Sequence, residues 1–374
     1  MLYIVSQVYT PNTAVTNRML SYYSAMDKMQ IDATVVYLYP DANQSRIEAN
    51  YTYLDVVYLW NKGCYKNKLS RAFFIIINII RFLHVLKKGD IVYTHGINLL
   101  TKVLLWKKGI KIYAEKTEYL GLPSQGFLSL SKDKIINVAK RLDGLFVIST
   151  PLKDAFVRAG VPEHNIQVIN MTVDASRFDG LEKQTVKDRY IAYCGTVSNN
   201  KDGVDCLIRS FAIASLKVCD VKLYIIGNAP YTLEKEKNLR LIESLGIKDK
   251  VYFTGSISAK EMPQMLKNAE MLALARPDSE QAKCGFPTKL GEYLLTANPV
   301  VLTAVGDIPK FLTDKDSAFI AEPGDYEGFA ERLVWGLQHQ DEAAQIGKKG
   351  AKIARAEFNN EVETQKLINF IYKN

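Results

Sequence analysis

The stretch CGFPTKLGEYLLTANPVVLTA, Cys284 to Ala304, decides how this chain reads. It opens as a turn, because Gly285 is able to take positive φ and Pro287 fixes φ while removing a donor. Thr288 is a good N-cap. Lys289 to Thr296 then reads as a short helix with Leu290, Leu294 and Leu295 on its buried side. Asn298-Pro299 stops the helix, and Val300 to Ala304 is a continuous apolar run of the kind that parallel sheets bury on both faces.

A helix start offers unpaired N–H groups and about half a positive charge, which suits an anion. Lys289, in the first turn, opposes that dipole and makes sense there if a phosphate sits at the helix end. Glu292 lies three residues on, on the same face. A cation for a phosphate and a carboxylate for sugar hydroxyls fit a nucleotide site. The alternative is that the two residues form an i,i+3 surface pair.

The segment GFPTKLGEYLLTANPVV resembles the C-terminal signature of GT-B glycosyltransferases, the retaining "group 1" or family 4 enzymes. Their usual pattern is Glu, seven residues, Glu, then an Ala-rich helix and Gly-x-Pro-Val-Val. Glu292 matches the second Glu, which in the family binds the donor ribose, whereas the first falls on Cys284. The chain resembles the branch with a Phe-Pro-(Ser/Thr)-Lys variant. The loop after RYIAYC, with Gly195, Thr196 and Lys201, resembles the family's Gly-Arg-x-x-x-x-Lys-Gly grip on the donor diphosphate, with Thr196 in place of the Arg, so a bidentate phosphate clamp is lost. The resemblance implies two Rossmann-like domains (α/β, GT-B) facing each other across a cleft. It implies a first, acceptor-side domain over 1–174, a linker over 175–188, a nucleotide-sugar domain over 189–355 and a C-terminal helix, 356–374, crossing back.

On this reading Lys201 and Lys289 stabilise the leaving diphosphate, an electrostatic task. The donor lies against Gly195, Thr196, Gly227, Asn228, Ser256, Ile257, Arg276, Gly285, Phe286, Pro287, Thr288, Leu290 and Glu292. Gly227 ends the strand of VKLYIIGNAP, at the edge where α/β folds bind ligands. The family's acceptor-side His is unmatched. Glu115, Thr117 and Glu118 occupy its region after KIYAEKTEY, and Glu118 is the candidate to accept the acceptor proton. Pairing of such a Glu with Lys116 or another surface cation is the alternative. No metal or cofactor is expected beyond the UDP- or GDP-linked donor. Asp314-Lys315-Asp316 has the spacing of a metal-dependent transferase but reads as a solvated turn between helix and strand. The loop after the first strand, with Thr13, Ala14 and Thr16-Asn17, reads either as a phosphate-facing loop or as ordinary helix capping.

At 374 residues, 48% hydrophobic and 24% charged, the chain fits two domains of an ordinary globular protein. Five cysteines without metal spacing suit free thiols in a reducing cytoplasm. Residues 1–10 already read as strand, so no signal peptide is expected, and no apolar run reaches 18 residues. Charge is uneven: residues 1–174 hold 21 Lys and Arg against 13 Asp and Glu, a balance of +8, and the remainder is neutral at 27 against 27. That asymmetry suggests an anionic partner for the first half. Lys62, Lys66, Lys68 and Arg71 precede AFFIIINIIRFLHVL (72–86), which reads as a buried helix in preference to an interfacial one, since a clear polar face is lacking.

The expected function is hexosyl transfer from a nucleotide-sugar to a glycan or lipid-linked acceptor hydroxyl in bacterial surface glycan assembly. The expected location is cytoplasmic, with peripheral contact at the inner face of the membrane. The rivals are an epimerase of the same fold, a non-catalytic subunit, and a nucleic-acid-binding protein, the last lacking any recognition motif and therefore set aside.

Overall fold

The computed structural model describes residues 1–374 apart from 12, 61–67, 123–127, 230–231 and 374; the side chains of 68, 69 and 71 also lie outside the description. Two compact units emerge, Met1–Thr172 with Asn360–Asn374, and Val173–Asn359. The segment expected as a linker, 175–188, belongs to the second unit. There Asp174 caps a 3-10 turn, Ala175–Phe178, by accepting the Ser176 N–H, and Phe178 is buried. The return to the first unit comes at Asn360, later than residue 356. Helix Gln340–Glu357 runs on, and Phe358 then packs against Phe286 and Phe311.

Apolar runs separated by amphipathic helices give parallel sheets, because a crossover must return each strand to the same end. The first unit holds β1 (Leu2–Ser6), β2 (Ala33–Tyr37), β3 (Leu54–Tyr58), β4 (Ile91–His95), β5 (Lys111–Lys116), β6 (Gly144–Val147) and β7 (Ile166–Val168). Their order is β3-β2-β1-β4-β5-β6-β7, parallel throughout. The second unit holds β8 (Arg189–Cys194), β9 (Val221–Ile226), β10 (Val251–Gly255), β11 (Met271–Leu274), β12 (Val300–Thr303) and β13 (Phe319–Ala321), in the order β10-β9-β8-β11-β12-β13, again parallel. Strands β11 and β12 are buried at every position, as a central parallel strand requires. Strand order reverses between β1 and β4 and between β8 and β11, the switch points at which α/β sheets open a ligand crevice.

In the first unit, helix Ala14–Lys28 starts at Thr13, whose side chain accepts the Thr16 N–H, so the loop after β1 is an ordinary cap. Helix Asn360–Lys373 packs beside it. Tyr113 donates to the Ile371 carbonyl (3.0 Å) and Asn360 to that of Ser21 (3.0 Å). Glu115, at the end of β5, has no exposed surface. It accepts Arg18 Nε (2.9 Å) and Nη2 (2.7 Å), Tyr22 OH and Tyr93 OH (both 3.0 Å), with His95 Nε2 at 3.5 Å. Burial pushes its carboxyl upward, but Arg18 and His95 outweigh that and hold it below the usual range.

The expected burial of 72–86 needs correction. In helix Lys68–Val85, Ile75, Ile79 and Phe82 are buried and Asn78 bonds the Leu38 carbonyl (2.8 Å). Phe73, Ile76, Ile80 and Val85, however, stand 61%, 52%, 48% and 52% exposed. One side alone reaches the sheet, and the other carries an apolar stripe that no described element covers. Among the described residues no helix is long and apolar enough to cross a membrane.

Breaking a buried ion pair leaves an uncompensated charge, at a cost of about 3–5 kcal/mol. Arg18→Met is therefore expected to lower the unfolding free energy by that amount in urea titration. Because the Glu115 carboxyl is depressed in the folded state, its stabilisation is present above the unfolded-state pKa and lost as pH falls through the folded-state value. Glu115→Gln should flatten that acid limb. An Arg18→Met variant as stable as wild type would show the network to be dispensable.

Candidate functional site

The second unit's switch point is built on close backbone approaches. Gly195, just past β8, donates to the Ile226 carbonyl (2.9 Å). Gly227 sits at φ +135°, and a Cβ there would fall 1.9 Å from the Gly195 carbonyl oxygen. Its own N–H reaches the Gly255 carbonyl (2.9 Å), so the ends of β8, β9 and β10 close into one edge that also presents Thr196, Asn228, Ser256 and Ile257. The Asn228 carbonyl is taken by the Val197 N–H (2.9 Å).

Gly203, at φ +66°, lets the helix Asn199–Asp202 abut β11, since a Cβ would lie 1.8 Å from the Ala275 carbonyl oxygen. That contact brings Lys201 and Asp202 to Arg276. The guanidinium, 2% exposed, donates from Nε to the Lys201 carbonyl (3.3 Å) and stands 3.7 Å from Asp202 Oδ1. Tyr193 OH donates to the Thr196 carbonyl (2.7 Å) and lies 3.1 Å from Asp202 Oδ2. Arg276 thus braces the Lys201 loop from within.

The turn 284–288 departs from expectation. Gly285 is extended (φ −88°, ψ 165°), and its missing side chain leaves room beside Arg276 Nη2. Thr288 is already helical (φ −61°, ψ −24°) and its side chain caps nothing, because capping needs an extended residue. The Pro287 carbonyl instead accepts the Leu290 N–H (3.0 Å). With that amide engaged and its side chain fully buried, Leu290 is a core residue. Phe286 also is core, packed on Phe311 and Phe358. Helix Lys289–Leu295 is pinned to β8 by Tyr293, whose hydroxyl donates to the Cys194 carbonyl (3.1 Å) and accepts the Cys194 N–H.

On that helix Lys289 Nζ lies 2.6 Å from Glu292 Oε2, so the i,i+3 pair does form, but not on the surface: the Glu292 side chain is 8% exposed. Arg177 supplies a second cation, Nη1 to Glu292 Oε1 at 2.7 Å, and its Nη2 reaches the Ala259 carbonyl (3.1 Å). Burial acts to raise the Glu292 carboxyl, but Lys289 and Arg177 outweigh it and hold it below the usual range. Burial likewise works against the Lys289 ammonium, and Glu292 prevails and raises it. Burial pushes the neighbouring Cys194 thiol up to about 11. The sequence reading did not include Arg177, which it placed in a linker; its one local signal is a lone Arg between the Asp174 cap and buried Phe178.

Glu118 belongs to the first unit, half-buried in the loop after β5, where its charge acts on Lys116. In the Asp314-Lys315-Asp316 turn, Asp314 accepts the Ile320 N–H and Arg332, while Asp316 pairs with Lys349. Those carboxylates are committed to a turn.

Residues 188–339, inside the second unit, match the family model described as glycosyl transferases group 1. Mannosylfructose-phosphate synthase of Agrobacterium fabrum is 22% identical over 342 residues, covering 87% of this chain and 69% of that protein. The GDP-mannose-dependent alpha-(1-6)-phosphatidylinositol monomannoside mannosyltransferase of Mycobacterium tuberculosis is 21% identical over 256 residues, 65% of each chain. Among solved structures, the Anabaena protein HepE in complex with UDP and glucose superposes with a TM-score of 0.75 at 17% identity, covering 100% of this chain and 99% of that one. The fold is therefore GT-B.

The Lys289–Glu292 pair offsets the cost of a cation in the first turn, because the pair is buried on the Glu292 side. A hydrogen bond to a charged group contributes about 1.5–3 kcal/mol, and Glu292 is buried. Lys289→Met should accordingly melt below wild type, by up to about that amount. A variant melting at or above wild type would return Lys289 to the role of a destabilising first-turn cation.

Proposed function

We propose that this chain, a glycosyltransferase of the GT-B fold whose second unit carries the group 1 match, moves a hexose from a UDP- or GDP-linked donor to an acceptor hydroxyl with retention of anomeric configuration. One observation carries the reading. A buried, ionised carboxylate is held between two cations at the C-terminal edge of the sheet's switch point, where a sugar diphosphate needs both signs of charge. In the transfer, the bond from the anomeric carbon to the diphosphate breaks with its electron pair on the leaving phosphate. A bond to the acceptor oxygen forms, and the acceptor proton departs. Lys289 and Lys201 supply the positive charge that steadies the diphosphate. Thr196 stands where the family has an Arg, so these lysines carry more of that task. Arg276, braced inside, holds the Lys201 loop in place. On the acceptor side Glu118 is the proton acceptor of this reading. Glu115 is unsuited, being depressed and saturated by donors.

The acceptor in this reading is a glycan or a lipid-linked one, met in the cytoplasm at the inner face of a membrane. The exposed stripe Phe73, Ile76, Ile80 and Val85, with Arg81, Lys87 and Lys88 exposed beside it, supports that part. Lys62 and Lys66, on which the membrane expectation also rests, lie outside the described residues, as do the side chains of Lys68 and Arg71. Basic residues near an anionic surface contribute about 1 kcal/mol each, screened within a Debye length.

Two experiments test these parts separately. UDP or GDP should raise the melting temperature, and proton NMR of the product formed with the matching nucleotide-sugar should show the donor's anomeric configuration. Lys289→Ala should cut turnover by roughly 100- to 1,000-fold. No thermal shift with any nucleotide diphosphate, or an inverted product, would refute the reading. For the surface, the protein should co-sediment with anionic vesicles at low salt and leave them at high salt. Indifference to those vesicles at low salt would favour a soluble acceptor.

A further inference from the structure

The sequence offers no reason to couple residue 177 to residue 292, yet one side chain joins three parts of the second unit. Arg177 sits on the 3-10 turn Ala175–Phe178, anchored by the Asp174 cap at one end and by buried Phe178 at the other. From there its two terminal nitrogens diverge. Nη1 holds Glu292 Oε1 at 2.7 Å, and Nη2 holds the carbonyl of Ala259 at 3.1 Å, in the loop that follows β10. That loop contains Ser256 and Ile257, expected at the nucleobase, and Glu292 is expected at the ribose.

A carboxylate offers about four acceptor positions. Arg177 takes one on Oε1 and Lys289 one on Oε2, so each oxygen keeps acceptor capacity, a pattern that fits the two neighbouring hydroxyls of a ribose. The planar guanidinium fork fixes two separate donor nitrogens in one geometry, whereas a lysine at 177 brings one mobile ammonium on a flexible stem and does not hold the two partners apart in that way. We propose that Arg177 is a positioning residue for the nucleoside half of the donor, fixing the Glu292 carboxylate for the ribose diol and tying the base-side loop to it. The proposal rests on the donor reading given above and adds to it a residue that acts through Glu292.

Calorimetry with UDP and GDP and their 2′-deoxy and 3′-deoxy counterparts tests it on the intact chain. Wild type should prefer the ribose form by about tenfold or more, the range set by a charged hydrogen bond. Arg177→Met should bring that preference close to unity, with the loss falling on the ribose form. In a Glu292→Gln background the same substitution should cost nothing further in ribose preference. Arg177→Lys, which can keep the ion pair, should retain the ribose preference while binding the preferred nucleotide more weakly through the loosened base-side loop; it also serves if Arg177→Met fails to fold. A ribose preference unchanged in Arg177→Met, or additive losses in the double variant, would overturn the positioning role while leaving the donor site standing. A wild type with no ribose preference would overturn the role of Glu292, and with it that of Arg177.

Discussion

Glu292 gives up nearly all of its hydration on folding, and the two cations beside it are what it receives in exchange. A lone carboxylate so buried would take up a proton. With Lys289 on one oxygen and Arg177 on the other it stays ionised, and its orientation is fixed from both sides. The pinning of helix Lys289–Leu295 to β8 through Tyr293, and of the Ala175–Phe178 turn through Phe178, serves this arrangement. If either element shifted, Glu292 would keep Lys289, three residues away on its own helix, and lose Arg177.

The first unit contains the same chemistry put to another use. Glu115 is also a buried carboxylate beside an arginine, but it is closed over by Arg18, two tyrosine hydroxyls and a histidine. Little acceptor capacity remains, and Arg18 spends its other donors on the Ile169 and Asn170 carbonyls. Glu115 therefore holds the end of its unit together. Glu292 is held by fewer donors, one cation on each oxygen.

What was legible in the sequence follows from the range of the forces involved. Apolar runs and the Gly and Pro punctuation between them are local, so most strands and the helix after Pro287 could be read directly. Strand β3 escaped because at an edge only alternate residues are buried, over five positions. Lys289 and Glu292 could be paired because they are three residues apart on one helix. Arg177 lies 115 residues from Glu292 and Arg18 lies 97 from Glu115, and no periodicity reports such contacts. Lys201 and Glu292, carried over by motif, fall at the same sheet edge as Gly227, which was read from a strand end, whereas the side chains of Phe286, Leu290 and Arg276 pack in the interior.

The claim that the second unit holds a nucleotide at this edge is tested most directly by hydrogen exchange, with and without the nucleotide diphosphate that stabilises the protein most. Slowed exchange at residues 195–201, 256–259 and 284–292 is the predicted result. Protection confined to amides outside these segments would contradict the account.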